Sequence, residues 1–172
     1  RRASLTERII TSFTLKVMGG DEVGAQESYE IELMPYDHWL GSRILPQTIT
    51  SFVTPNHPAI EALIPQVGAM LKQMTGASAL IEYQNGNSND VRAQVAAAFA
   101  TVHQQGVVYR SMPASYEVIG QRVTMPDQVL AKKLGNCIEL TLLMASVLEN
   151  IGINTVVIFQ KGHAYLGVWL VD

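Results

Sequence analysis

The chain has 172 residues, 48% hydrophobic and 16% charged, with a net charge of −3; this is a globular composition with length for about one domain and a small appendage, and it excludes disorder. Lysines and arginines are scattered, which argues against direct nucleic-acid binding, and no apolar run reaches the ~18 residues of a membrane span. The single cysteine, Cys137, rules out an internal disulfide framework and a cysteine-rich zinc site; with no secretory pattern in Arg1 to Thr6, a reducing cytoplasmic setting is expected, with no metal and no other cofactor.

Residues 5–18 and 28–34 read as strands, because Thr14 to Val17 and Tyr29 to Leu33 alternate apolar and polar with period two. Gly19-Gly20-Asp21-Glu22 between them has turn chemistry. Two strands do not close a sheet. Residues 1–55 are therefore expected to form a β-rich segment that belongs to a larger module or packs against the downstream residues. A connector from Pro35 carries Tyr36 and Trp39 and ends in Thr54-Pro55-Asn56-His57-Pro58. From Pro58, Ile60, Leu63, Ile64, Val67, Met70, Leu71 and Met74 recur at helical spacing, with a kink expected at Pro65 and an end at Gly76. Ser88 or Asn89 is positioned to cap a second helix, whose apolar face is Val91, Val95, Phe99 and Val102. Val107 to Tyr109 is a short strand candidate, and Pro126 and Asp127 open a brief helix through Leu134.

The chemistry concentrates at Gly135-Asn136-Cys137-Ile138-Glu139. Asn136 is a good N-cap, and Glu139 stands three residues on, as in a capping box. The helix body beyond it is apolar nearly all round, the mark of a central buried helix, and Gly152 stops it. Cys137 thus falls in a first helical turn. There the helix dipole favours negative charge, and unpaired N–H groups can hold a developing oxyanion. The helix carries the chain about 22 Å away at 1.5 Å per residue. The apolar run Thr155 to Phe159 reads as a fully covered strand; packed antiparallel to the helix, residues 154–160 return about 23 Å. The turn Gln160-Lys161-Gly162 and His163 then arrive level with Cys137, as a thiol–imidazole pair requires. A catalytic histidine is usually oriented by a third group. Asp172 is a poor choice, because a strand from Ala164 to Val171 sets it about 30 Å from His163. The third residue is expected on a next strand, beyond residue 172. The plain alternatives are a small core cysteine and a solvent-exposed turn histidine. His38, His57 and His103 read as structural or exposed, and neither His57 nor His103 has a plausible carboxylate or cysteine neighbour in sequence. Trp39 and Trp169 read as packing residues.

The strings GNCIELTLLMASVLENIGI and TVVIFQKGHAYLGVWL resemble the transglutaminase-like superfamily: a helix opening in G-x-C-x-[DE], a strand, then a histidine opening the next strand. Cys137 and His163 match two members of that family's Cys-His-Asp triad; no residue here matches the aspartate. FVTPNHP and YRSMPASYEVIGQRVTMPDQVL extend the similarity to a module of large bacterial proteins that also carry helicase-type and nuclease-like regions. The resemblance implies an α+β fold in residues 56–172: a transglutaminase/papain-like core with a central buried Cys137 helix on an antiparallel sheet, truncated at its C-terminus. Within it, Gln121 is a candidate cleft or oxyanion residue. The implied activity is a cysteine hydrolase or acyltransferase working on peptide or side-chain amides through a thioester, with protease-like hydrolysis favoured because nothing marks a Ca²⁺ site. A non-catalytic module that binds a peptide or another domain of a larger chain is the alternative. Either reading makes the partner a peptide or protein, and neither a membrane.

Overall fold

The computed structural model describes residues 5–112 and 120–172. The chain divides between His38 and Trp39 into two compact units. The first is a hairpin of β1 (Ile9–Gly19) and β2 (Glu22–Leu33), antiparallel from Ile9↔Leu33 to Gly19↔Glu22, with a register shift between Val17 and Met18. Its turn rests on Gly20, whose φ of +65° is open to glycine and strained for most other residues. β2 starts six residues before the expected strand at 28, because the tight turn zips up Val23 to Glu27 regardless of their weak alternation. Pairing sets Ile9, Phe13, Leu15 and Val17 beside Leu33, Tyr29, Glu27 and Ala25 on one face. Lys16, Glu30 and Glu32 fall on the other.

β3 (His38–Trp39) spans the junction. The second unit then runs through a 3₁₀ helix (Pro46–Phe52), α1 (Pro58–Glu61), α2 (Ile64–Thr75), α3 (Ser88–Gln104), β4 (Val108–Tyr109), β5 (Gln121–Arg122), α4 (Pro126–Lys132), β6 (Leu134–Gly135), α5 (Cys137–Asn150), β7 (Thr155–Gln160) and β8 (His163–Val168). The fold is mixed α+β: helices packed with small two-stranded pairings, β7 and β8 antiparallel, β4 and β6 parallel. Among the described residues no helix is long and apolar enough to cross a membrane.

The structure corrects several expectations. The helix expected from Pro58 to Gly76 is broken at Ala62-Leu63, and Pro65 restarts it at the head of α2 instead of kinking it. Gly76 closes α2 with a φ of +85°. The N-cap of α3 is Asn87, whose side chain accepts from Asn89 N at 3.0 Å. The buried face of α3 is Val91, Gln94, Ala97, Ala98, Thr101 and Val102, while Phe99 is 62% exposed. Gln94 displaces the apolar stripe because its amide oxygen accepts from Ile81 N and Glu82 N, at 2.9 and 3.0 Å. β7 is not fully covered: Val156 is 40% exposed, since among the described residues the hairpin has no further strand. β8 stops at Val168, and Trp169 is 58% exposed instead of packed.

Two apolar clusters fill the second unit, and α5 belongs to both. Leu143, Val147 and Leu148 pack with Ile60, Val67, Leu71, Val91 and Ile153. Ile138 and Leu142, nearer its start, pack with Trp39, Ile49, Phe52, Val123 and Ala164. Trp39 stacks on Phe159 with ring centroids 5.1 Å apart. The connector is pinned to α5 by Thr54 N, which donates to Ser146 Oγ at 2.9 Å, and by Asn150 Nδ2, which donates to Pro55 O at 2.8 Å.

Gly120 is the glycine on which this second cluster depends. Its φ is +73°, and a Cβ there would lie 2.3 Å from Trp39 O. Gly120→Ala is expected to cost about 2 kcal/mol or more through backbone strain and displacement of Trp39. A fall in the urea midpoint without a change in slope checks this; an unchanged midpoint contradicts it.

Candidate functional site

The site begins with the capping box at the head of α5, which forms as the sequence predicts. Asn136 Oδ1 accepts from Glu139 N at 3.0 Å, and Glu139 Oε2 accepts from Asn136 N at 2.8 Å. Glu139 is only 2% exposed. A buried carboxylate needs compensation, and three groups provide it. Besides Asn136 N, Thr124 N donates to Oε1 at 2.9 Å, and the Arg110 guanidinium stands 3.9 Å from Oε2. One acidic side chain therefore ties the start of α5 to the segments at Thr124 and Arg110. The box consumes the N–H groups of Asn136 and Glu139. Those of Cys137 and Ile138, the other two in this turn, are left over by the cap.

α5 is not buried all round. Cys137, Leu140 and Met144, at positions i, i+3 and i+7, are half-buried and form one stripe. That stripe walls a cleft of about 700 Å³. Its second wall is a matching stripe on α3, made of Arg92, Val95, Ala96 and Phe99. This accounts for the outward turn of Phe99: it leaves the core to face the cleft. β8 forms the third wall through His163, Tyr165 and Leu166, with Tyr109 at the rim.

Cys137 and His163 thus open into the same cleft. The local reason is β8, which is fastened to α5 at its start: Thr141, one turn after Cys137, donates through Oγ1 to Ala164 O at 3.4 Å. Ala164 packs inward with Ile138 and Leu142. The alternation of the strand turns His163 to the opposite side, together with Tyr165, and the two rings stack with centroids 6.3 Å apart. Among the described residues no hydrogen bond joins Cys137 to His163. Proton transfer between them requires a ring nitrogen of His163 to come within hydrogen-bond reach of the Cys137 thiol.

The remaining sequence-selected residues lie elsewhere. Gln121, in β5, is half-buried and does not line the cleft. Asp172 is exposed and does not line it either. His103 stacks on Phe99, with centroids 6.4 Å apart. His57 has a carboxylate near it in space: Nε2 lies 3.8 Å from Asp127 Oδ2, and Nδ1 accepts from Ala59 N at 3.2 Å. Seventy residues separate His57 from Asp127, so no local pattern could reveal the pair. It fastens α1 to α4. Phe99 and Tyr109 are site residues that sequence reading missed. The one available signal was a large aromatic on a helix whose other face is alanine-rich. Among the described residues no three His, Cys, Asp or Glu side chains converge to hold a metal ion.

No family model, curated protein or solved structure matches this chain.

Because Glu139 satisfies two backbone donors in a buried position, its loss strands both. Glu139→Ala is expected to destabilise the protein by about 3 kcal/mol. Chemical denaturation checks this, and a loss below about 1 kcal/mol contradicts the compensation described.

Proposed function

We propose that this protein is a transglutaminase-like cysteine hydrolase or acyltransferase that cleaves amides through a thioester. The observation that carries the reading is the shared cleft: Cys137, at the head of a capped helix, and His163, at the head of β8, both line it. The capping box supports it further, since it does not use the Cys137 and Ile138 N–H groups of that first turn.

In this mechanism His163 takes the proton of the Cys137 thiol, and Sγ attacks the amide carbonyl carbon. A C–S bond forms, and the carbonyl oxygen gains negative charge, which the two free N–H groups stabilise. The C–N bond then breaks, and the amine leaves with the proton from His163. Water, deprotonated by the same imidazole, attacks the thioester carbon; the C–S bond breaks, and the acid and free thiol are released. An amine in place of water would give transfer instead of hydrolysis. Hydrolysis is favoured because nothing in the sequence marks a Ca²⁺ site of the kind crosslinking enzymes use. As a second reading, a non-catalytic peptide-binding module is favoured by the long apolar wall beyond Cys137, which exceeds what a single scissile amide needs.

The test is acylation by an activated ester, which removes the need to know the substrate. With p-nitrophenyl acetate, a burst of about one equivalent per chain is expected, absent in Cys137→Ser, and slowed on the order of a hundredfold in His163→Ala. A burst that survives Cys137→Ser, or a wild type without one, refutes the thiol mechanism.

A further inference from the structure

The cleft has a direction and two unlike ends. Gln94, near the start of α3, binds Ile81 N and Glu82 N. Glu82 packs against Gly152, just past the end of α5, so closely that a Cβ there would lie 2.4 Å from its carboxyl carbon. The end of α3 leads into β4, which pairs with Leu134-Gly135 immediately before α5. α3 and α5 are therefore antiparallel. β8 runs the same way as α5, since Ala164 is bonded to Thr141 and Val168 lies with the cluster around Leu148.

One end of the cleft accordingly holds Cys137 and His163, and the other holds Leu148, Val168 and Arg92. From Cys137 to Leu148 the helix rises about 16 Å at 1.5 Å per residue. The wall between them is apolar, carried by Leu140 and Met144 of α5 and by Leu166 of β8. Among the described residues no carboxylate lines the cleft, and Arg92 is its one permanent charge. Among those residues Arg92 makes no ion pair or hydrogen bond. β8 is also a strand edge there, paired only with β7 among the described residues. Such an edge accepts an extended chain in preference to a helix.

We propose that the cleft takes an extended peptide with apolar side chains along the α5 stripe and an acidic residue that pairs with Arg92. At about 3.3 Å per residue, the 16 Å between the ends places that acid roughly five residues from the amide at Cys137. The position of the amide rests on the thiol mechanism above; the apolar track and its terminal charge do not. Arg92 is then a specificity-determining residue, remote from the bond that reacts.

The test uses the Cys137→Ala protein, so that binding is measured without turnover. The probes are fluorescein-labelled peptides of alternating leucine and serine around a central amide. They carry glutamate or lysine five residues from that amide, on either side in separate peptides. By fluorescence anisotropy at low salt, glutamate is expected to bind roughly fivefold tighter than lysine on one of the two sides. Arg92→Glu reverses that order; the gain of lysine binding shows that the variant is folded. Equal binding of the two peptides, no binding of either, or a glutamate preference that persists in Arg92→Glu overturns the proposal. A charge preference in a protein whose Cys137 forms no acyl-enzyme would remove the enzyme reading and keep the groove. An acyl-enzyme without a charge preference would do the reverse.

Discussion

The site depends on a buried carboxylate. Glu139 closes the capping box on Asn136, accepts from Thr124 N and faces Arg110, all from a position almost without solvent. A side chain of this kind has few tolerable arrangements, because each lost partner leaves a desolvated charge or an unpaired donor. It therefore fixes the first turn of α5 in rotation as well as position. Cys137, two residues earlier, inherits that orientation and faces the cleft while Ile138 faces the core.

A second constraint is the double membership of α5 in the two apolar clusters. One side of the helix packs on α1, α2 and α3, and its early turns pack on Trp39, Phe52 and Ala164. What is left for the cleft is a narrow stripe at Cys137, Leu140 and Met144. The same cluster that holds Ile138 holds Ala164, so the start of α5 and the start of β8 cannot separate without opening the core. His163 lines the cleft beside its anchored neighbour, with alternation setting the imidazole on the strand face opposite Ala164. That ring stacks on Tyr165.

The legibility of each feature in the sequence depends on how local it is. The capping box, Gly76 and the hairpin turn before His163 depend on residues within a few positions of one another, and they stand where the sequence puts them. α5 and β7 also fall within a residue of the spans read from the sequence, at Cys137–Asn150 and Thr155–Gln160. What failed was decided by distant contacts. The face of α3 rotated because Gln94 binds the backbone at Ile81 and Glu82, which no periodicity encodes. Trp169 reads as a core residue by type yet lies past the end of β8, where its ring has no cluster to join. Gln121 is close to Cys137 in the chain but sits in a separate short strand outside the cleft. The His57–Asp127 contact needed α1 and α4 to be brought together first.

The most direct measurement is the alkylation rate of Cys137 by iodoacetamide at pH 6, in the wild type and in His163→Ala. A working thiol–imidazole pair predicts a rate on the order of tenfold higher in the wild type, because the imidazole takes the proton that the unassisted thiol keeps. Equal rates in the two proteins would mean that His163 does not act on Cys137, and would leave the cleft as a binding surface alone.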